Sequence, residues 1–278
     1  MRLHILSDLH TEFLPFTPRV RDADVTILAG DLHTRPDALA PWAAAFDGAV
    51  VTVAGNHEYY DGHLQQRLAT YRAAAAAEPS GRLHFLECDT VVIGGVRFLG
   101  ATGWTDFRSA GDPEESMRMA VQCLADFHCI RADPTQTQTE TETEASQPWM
   151  TPARMAALNR ATRAWLTRQL DEPFDGPTVV VTHYAPALAC IDTPVHRRRF
   201  KANPLDGYFA NAWDRPGPAG EPALLGPKCR FARPPALWIY GHNHVAAQLQ
   251  LGGTLTLTNP RGYPRERTGF DPGLVVAV

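Results

Sequence analysis

The sequence predicts an α/β fold built around a largely parallel β-sheet. Several short apolar runs end in glycine or aspartate, as buried strands often do, and stretches with helical composition separate some of them. Strands that alternate with helices along a chain are typical of α/β proteins with parallel strands. The chain has 278 residues, of which 44% are hydrophobic, so it can form a substantial core. We expect one domain over residues 1–278, because no change in composition demands a second.

The first 104 residues carry most of this alternation. The first three predicted strands are RLHIL, DVTILAG and GAVVTVAGN. Two helical stretches, DALAPWAAAF and HLQQRLATYRAAAAAE, follow the second and the third of these strands. The next stretch, RLHFLECDTVVIGGVRFLGATGW, predicts several β segments with a turn at IGG.

The rest of the chain begins with helices and ends with strands. The helical stretches EESMRMAVQCLADFHCI and PARMAALNRATRAWLTRQL flank a Thr/Gln/Glu tract without an apolar face, which predicts a flexible loop at 133–148. Residues 187–235 are rich in Pro, Gly and Arg and predict mostly irregular structure. Strands are predicted at DGPTVVVTHYAP and ALWIYGHNH, a hairpin at AAQLQLGGTLTLTNP and a closing strand at GLVVAV.

Composition argues against several classes of partner. The net charge of -4 disfavours general binding to nucleic acids or membranes, which usually requires a basic surface. The first apolar run is too short for a signal peptide, and no run of about eighteen apolar residues predicts a membrane span. The five cysteines are odd in number and lack CxxC pairs, which is typical of reduced thiols. We therefore expect a cytoplasmic protein without a membrane partner.

Polar residues follow the predicted strands at the points where these strands end. They are Asp8 and His10, Gly30 and Asp31, Asn56 and His57, His183, and His242 and His244. The crevice beyond the carboxyl ends of strands is where open α/β sheets bind ligands. Carboxylates, imidazoles and an amide together suit borderline or hard divalent metals. Each motif alone occurs by chance, but their occurrence in this order predicts a metal site.

The spacing of these residues has a geometric interpretation. In an extended segment, residues two apart point the same way, so Asp8 and His10 could converge on one centre, as could His242 and His244. A glycine precedes ligands at three positions, where the chain has to turn tightly or approach another segment closely. These glycines are Gly30, Gly55 and Gly241.

The series SDLH, AGD, GNHE, THY and GHNH resembles the motifs of the calcineurin-like metallophosphoesterase superfamily. The later stretch NPRGYPRE is similar to that of a poorly characterised bacterial branch of this superfamily. The resemblance implies a sandwich of two mixed β-sheets packed face to face and flanked by helices. It also implies two adjacent divalent or trivalent metal ions, with Mn, Fe or Zn as candidates. The implied first metal has the ligands Asp8, His10, Asp31 and His244, and the second has Asp31, Asn56, His183 and His242, with Asp31 bridging.

The resemblance implies hydrolysis of phosphate esters by attack of a metal-bound hydroxide. Two divalent ions, two ligand carboxylates and a hydroxide leave a charge of about +1, which attracts phosphate although the chain is acidic. Metal binding lowers the pKa of bound water towards neutrality. We expect a small phosphorylated substrate, with a nucleotide as one candidate, and slightly favour a phosphodiester. A monoesterase acting on a small molecule or a phosphoprotein is the alternative.

Two further classes of function receive little support from the sequence. A non-catalytic scaffold would be expected to lack ligands, and here every expected ligand position is filled. A nuclease is disfavoured, because no basic stripe with interleaved aromatic residues is present.

Residues next to the expected ligands predict further roles. Asp31 and His57 are the predicted catalytic residues, and His57 is placed to protonate the departing oxygen. Glu58 is predicted to make local hydrogen bonds. Many relatives carry an aspartate soon after the Gly-Asp motif that orients the histidine of GNH, whereas this chain has Thr34 and Arg35 there. The candidates for this orienting role are His33 and Asp37.

Arginines near the last motifs could bind the substrate phosphate. The stretch VHRRRFKANP contains Arg197, Arg198 and Arg199, which form either a solvated basic loop or a phosphate clamp. Arg261, together with Tyr263 in NPRGY, is a further candidate.

Overall fold

The computed structural model describes residues 1–18, 22–132, 148–199 and 201–278. The strands in these ranges are β1 (Arg2–Leu6), β2 (Val25–Ala29), β3 (Ala49–Val53), β4 (Gly62–His63), β5 (Leu83–Phe85), β6 (Asp89–Ile93), β7 (Val96–Ala101), β8 (Ile130–Arg131), β9 (Thr178–Thr182), β10 (Leu237–Tyr240), β11 (Ala247–Leu251), β12 (Thr254–Thr258) and β13 (Val275–Ala277). The helices are α1 (Leu39–Ala45), α2 (Leu64–Ala76), α3 (Pro113–Cys123), α4 (Asp126–Cys129), α5 (Pro152–Asp171), α6 (Leu188–Ile191), α7 (Pro194–Arg199) and α8 (Asp206–Phe209). The flexible loop predicted at 133–148 lies outside the described residues, apart from Pro148.

Two mixed sheets form the centre of the fold. The first sheet has the order β13-β1-β2-β3-β5, with β13 antiparallel and the other four strands parallel. The second has the order β11-β12-β10-β9-β7-β6, with four parallel strands inside and an antiparallel strand at each edge. The strands β4 and β8 form a separate parallel pair. The expected sandwich of two mixed sheets is confirmed.

The two sheets bury a common apolar layer between them. Ile5 and Ile27 of the first sheet and Val181 and Ile239 of the second are fully buried in one cluster. These side chains stand on the inner face of each sheet, because alternate residues of a strand point to opposite faces. Trp42 in α1 and other apolar helix residues cover the outer face of the first sheet, while α5 packs on the second.

Most sequence-based element predictions agree with the structure, with two differences after residue 113. The predicted helix over EESMRMAVQCLADFHCI is interrupted at Leu124, whose extended backbone separates α3 from α4. After this break, α4 begins at Asp126, and the side chain of Asp126 reaches the site described below. Residues 187–235 contain three short helices, and Arg197 and Arg198 lie in α7, not in a loop as predicted.

The described structure bears on two expectations from composition. All five cysteines are free thiols, and burial raises the pKa of Cys190 to about 12 and that of Cys88 to about 11. These two thiols therefore stay protonated and are poor nucleophiles near neutral pH.

Among the helices within the described ranges, none has the length and apolar character needed to cross a membrane.

Candidate metal centre

Five of the seven expected ligands lie in left-handed backbone turns. Asp8, His10 and Asp31 have φ of 50°, 44° and 54°, and His242 and His244 have φ of 72° and 43°. The sequence interpretation that each D-x-H or H-x-H pair lies in an extended segment is therefore wrong. A left-handed conformation costs a residue with a side chain about 1–2 kcal/mol. Surrounding contacts must hold these residues in place, and such strain is typical of functional sites.

The predicted close approach at the glycines is confirmed. Gly30 has a φ of +83°, and a Cβ atom there would lie 2.4 Å from His183 Nδ1. A Cβ atom at Gly55 would lie 2.1 Å from Asp31 Oδ1. Any larger residue at these positions would therefore displace an expected ligand.

Four expected ligands converge in what we call the first cluster, formed by Asp8, His10, His244 and Asp31. His10 Nε2 and His244 Nε2 lie 3.1 Å apart. His244 Nε2 is 3.6 Å from Asp8 Oδ1, and His10 Nε2 is 3.7 Å from Asp31 Oδ2. The ligands of this cluster come from both sheets, since Asp8 follows β1 and His244 follows β10.

The second cluster, formed by Asp31, Asn56, His183 and His242, shares one carboxylate with the first. His183 Nε2 lies 3.3 Å from Asp31 Oδ2 and 3.1 Å from Asn56 Oδ1. Ligand atoms of His242, His183 and Asp31 all lie within 4.8 Å of one another. Asp31 Oδ2 therefore faces both clusters, as expected of a bridging ligand.

The orientation of the histidines fits bound cations. His10 Nδ1 lies 3.1 Å from Glu12, His244 Nδ1 lies 2.6 Å from Glu266, and His183 Nδ1 lies 2.9 Å from the carbonyl oxygen of Ala29. With protons on these Nδ1 atoms, the Nε2 lone pairs point inward, where those of His10 and His244 would repel each other at 3.1 Å. A cation between them removes this repulsion.

Two unsatisfied atoms strengthen this fit. His242 Nε2 and Asp8 Oδ2 are buried without a hydrogen-bond partner in the described structure. A buried polar atom without a partner is costly, and metal coordination would satisfy both. The mixture of imidazole, carboxylate and amide donors suits Mn, Fe or Zn.

Glu58 binds the backbone that carries the ligands. Its carboxylate accepts hydrogen bonds from the N–H groups of Gly55, Asp31, Leu32 and His33 over 2.6–3.2 Å. The local hydrogen-bonding role predicted for Glu58 is confirmed. Burial and repulsion from Asp31 raise the pKa of Glu58 to about 7, while its N–H donors oppose the shift. Glu58 thus links the turns after β2 and β3.

A buried carboxylate that sequence reasoning missed supports Asn56. Asn56 Nδ2 donates to Asp126 Oδ1 over 2.8 Å, so Asn56 Oδ1 is turned towards His183. The hydroxyls of Tyr60, Tyr184 and Tyr208 also donate to Asp126. Asp126 is only 1% exposed. We call these four residues, Asp126 and the three tyrosines, the Asp126 network.

His57 lies between the first cluster and open space. Its Nδ1 is 3.3 Å from Glu12, and its Nε2 is 3.0 Å from the Tyr263 hydroxyl. Burial alone would lower the pKa of His57, but the carboxylates of Asp31 and Glu12 raise it to about 9. Cations bound in the clusters would oppose this rise. The carboxylate of Glu12 therefore holds one ring nitrogen of His57, and the other ring nitrogen faces the hydroxyl of Tyr263.

Neither candidate proposed from the sequence orients His57. His33 Nδ1 accepts the backbone N–H of Arg35, and the exposed Asp37 lies 3.5 Å from the Arg35 side chain. Glu12 holds His57 instead. The only sequence signal was its position two residues after His10, which continues the D-x-H spacing as D-x-H-x-E.

The predicted phosphate-binding arginines have other partners. Arg261 donates to the carbonyls of Leu9, Leu14 and Pro15, so it holds the segment that follows His10. These contacts correct the expectation that Arg261 faces the substrate; within NPRGY, Tyr263 is the residue that reaches His57.

The two described arginine side chains of α7 bind other groups of the protein. Arg197 pairs with Asp192 and, over 2.7 Å, with Asp206. Arg198 Nε donates to the carbonyl of Pro194 at the start of its own helix. The side chain of Arg199 lies outside the described part of the structure.

A cavity of about 300 Å³ opens beside both clusters. Its walls combine ligands with aromatic, apolar and acidic residues. The lining residues are Asp31, Asn56, His57, Tyr60, Cys123, Leu124, Ala125, Asp126, Tyr208, Phe209, His242, Asn243, His244, Tyr263 and Glu266. The cavity can therefore place a small molecule against the two clusters and His57 at once.

The two adjacent clusters form a candidate metal site at the ends of the strands of both sheets. The sequence model of the family described as calcineurin-like phosphoesterase matches residues 1–246. The chain therefore belongs to the calcineurin-like phosphoesterase family, and it is a metal-dependent phosphoester hydrolase.

Individual relatives are distant from this chain. The crystal structure of phosphopantetheinyl hydrolase (PptH) from Mycobacterium tuberculosis is similar over 95% of this chain and 90% of its own, with 19% identity and a TM-score of 0.62. The uncharacterized protein L509 of Acanthamoeba polyphaga mimivirus is 22% identical over 224 residues, which cover 79% of this chain and 70% of L509. The first of these shows that the fold is shared over nearly the whole chain.

Proposed function

We propose that this chain hydrolyses a small phosphate ester with two metal ions, one held in each cluster and both bound by Asp31. The observation that carries this proposal is the convergence of seven expected ligands in two clusters around one carboxylate oxygen. When bound, such ions lower the pKa of water and neutralise charge on phosphoryl oxygens. Mn, Fe and Zn are the candidate ions, because the donor set is mixed.

His57 is the residue we assign to the departing oxygen. Glu12 fixes its Nδ1, so its Nε2 is the nitrogen left to meet a substrate in the cavity. Tyr263, whose hydroxyl contacts Nε2, has a half-exposed side chain at the same wall. We expect His57 to donate a proton or a hydrogen bond to the leaving group, which matters most for poor leaving groups.

A phosphodiesterase is our first candidate and a phosphomonoesterase the second. Both are candidates because both reactions use the same centre. The phosphopantetheinyl activity named for the tuberculosis protein is a further substrate class to test. We also propose that residues 1–278 form one domain, since both sheets share a single buried layer. A non-catalytic scaffold is disfavoured by the complete set of ligands.

Reconstitution of the metal-free protein tests the proposal. The chain is stripped with a chelator and reloaded with Mn, Fe or Zn, and metal content is measured by elemental analysis. Activity is then followed on matched nitrophenyl diesters and monoesters and on phosphopantetheinyl and nucleotide esters. We expect hydrolysis to require two metals per chain. Full activity in metal-free protein, or no hydrolysis of any ester at two metals per chain, would overturn the proposed function.

A further inference from the structure

A second cavity of about 220 Å³ adjoins the cavity beside the clusters. Two residues, Phe209 and Asn243, line both of them. The remaining lining residues of the second cavity lie in and between α7 and α8, and they are His196, Asn203, Leu205 and Asp206. A molecule bound at the clusters can therefore extend past Phe209 and Asn243 into this second cavity.

Two polar side chains in the wall of the second cavity are bound to other groups of the protein. Asn203 Oδ1 accepts the backbone N–H of Leu205 over 2.8 Å, and Asn203 Nδ2 donates to a neighbouring backbone carbonyl over 3.1 Å. Asp206 Oδ2 pairs with Arg197 over 2.7 Å, which balances its charge. Because these polar ends are engaged, the half-buried side chains of Leu205 and Phe209 give the second cavity an apolar wall.

Asn243 presents an unused acceptor at the junction of the two cavities. Its Nδ2 donates to the carbonyl of Gly241 over 3.4 Å, which sets the orientation of the amide. Its Oδ1 is buried without a hydrogen-bond partner in the described structure, and the residue is only 8% exposed. A buried acceptor without a partner is costly, so a donor from a bound molecule would stabilise this arrangement.

The junction lies directly beside the second cluster. Asn243 stands between the expected ligands His242 and His244 in the chain, and the ring of Phe209 lies 5.3 Å from the ring of His242. The second cavity therefore begins one aromatic side chain away from the second cluster. A phosphoryl group at the clusters and a group in the second cavity can belong to the same small molecule.

We propose that the second cavity binds the organic group of the substrate ester and that Asn243 Oδ1 accepts a hydrogen bond from this group. The inference rests on the proposed function, which places the phosphoryl group at the clusters. The apolar wall favours an aliphatic or aromatic group over a charged one, and the acceptor favours a group with an N–H or O–H. The substrate class is therefore a phosphate ester whose organic group combines an apolar part with an amide N–H or a hydroxyl. Asn243 is a specificity residue and takes no part in the reaction.

Phosphonates, whose P–C bond resists hydrolysis, test the inference on the metal-loaded protein. One series carries a butanoylamino group on linkers of two to six carbons, a second carries a butanoyloxy group on the same linkers, and a third consists of the linkers alone. We expect the best butanoylamino compound to bind about 5–10-fold more tightly in calorimetry than its butanoyloxy counterpart, the factor typical of one hydrogen bond. It should bind at least about tenfold more tightly than the linker alone, as two or more buried methylene groups would provide.

Two variants assign these preferences to particular residues. Asn243→Leu nearly keeps the size of the side chain but removes the acceptor, so the preference for the amide over the ester should disappear. Leu205→Trp fills the second cavity, so the preference for extended phosphonates over the linkers alone should fall by about tenfold. Each effect is a ratio between two ligands of one protein sample, so a general loss of metal or stability does not mimic it.

Val195→Trp is the matched control for added bulk. Val195 is exposed in α7 and lines neither cavity. This variant should change each ratio by no more than about twofold, as is usual for surface substitutions.

Several outcomes would overturn the inference. Equal binding of amide and ester phosphonates by the wild-type protein would refute the role of Asn243, as would an amide preference that Asn243→Leu retains. Equal binding of extended phosphonates and linkers alone would refute the role of the second cavity. Absence of binding by every phosphonate, with esters still hydrolysed, would overturn the inference but not the proposed function. Selective binding by a metal-loaded protein that hydrolyses no ester would instead refute the proposed function and support the second cavity.

Discussion

The two clusters share Asp31 but differ in the groups that support their other ligands. In the first cluster, His10 and His244 each place Nδ1 against a carboxylate, that of Glu12 or Glu266. In the second, His183 Nδ1 faces the neutral carbonyl of Ala29. A carboxylate partner makes an imidazole a stronger donor to a metal. We therefore expect the first cluster to bind a metal ion more tightly than the second.

The supporting groups also differ in their depth. Most of the Asp126 network that holds Asn56 is buried, with Asp126, Tyr184 and Tyr208 at 1%, 0% and 2% exposure. Glu266, by contrast, is partly exposed on the segment between β12 and β13. We therefore expect the second cluster to depend on packed hydroxyls and the first on charges near the surface.

Removing the shared carboxylate should have the largest effect, because it belongs to both clusters. We expect Asp31→Asn to lose metal from both and to abolish measurable hydrolysis, since one anion serves two ions. Elemental analysis and kcat/KM are the measurements, with the exposed Asp37→Asn as a matched control. Two metals retained at wild-type affinity would refute the bridging role.

Loss of His57 should separate chemistry from metal binding in both clusters. His57→Ala should keep two metals per chain and slow alkyl esters by about 10²–10⁴-fold relative to nitrophenyl esters, the range typical of general acid catalysis. Nitrophenolate leaves without a proton, whereas an alkoxide needs one. Equal losses on both ester types would show that His57 acts on the phosphoryl group or positions the site.

A pair of neutralising substitutions tests the difference between the clusters directly. Glu266→Gln should weaken metal binding in the first cluster, and Asp126→Asn should weaken it in the second, each by about 10–100-fold, as for other partners of ligands. Stepwise metal titration followed by calorimetry reports the two affinities. If both variants weaken the same binding step, the two clusters are not supported independently.

The smallest predicted effect concerns one hydroxyl of the Asp126 network. Tyr208→Phe removes a donor to Asp126 and should lower the free energy of unfolding by about 1 kcal/mol, as is usual for one hydrogen bond. Asn56 keeps its own bond to Asp126, so the second metal should bind only a few-fold more weakly. Chemical denaturation and metal titration are the measurements. A loss as large as that of Asp126→Asn would show that the hydroxyl, not the carboxylate, holds Asn56.

The sequence predicted which side chains come together better than it predicted their backbone geometry. The strands and helices depend on local apolar patterns, and the ligand motifs directly follow those strands, so both could be found by inspection. The left-handed turns at Asp8 and His242 could not, because residues with side chains rarely adopt them and no local pattern marks them.

The supporting groups of the site depend on contacts between distant parts of the chain. Asp126 lies 70 residues from Asn56, and Tyr263 lies 206 residues from His57. The division into two sheets is equally non-local, as the pairing of Arg2 with Ala277 illustrates. No periodicity or spacing signals such contacts, so the groups that support the ligands could not be found from the sequence.

The Asp126 network also connects the second cluster to a fluorescent side chain, that of Trp104. The ring of Tyr184 lies 4.2 Å from that of His242 and 5.7 Å from that of the buried Trp104. Ions with unpaired electrons, such as Mn²⁺ or Fe³⁺, quench indole fluorescence at short range, whereas Zn²⁺ has a filled d shell and does not. The part of the tryptophan emission that comes from Trp104, one of six tryptophans in the chain, should therefore dim when a paramagnetic ion enters the second cluster, which gives an optical signal for the filling of that cluster in the unlabelled protein.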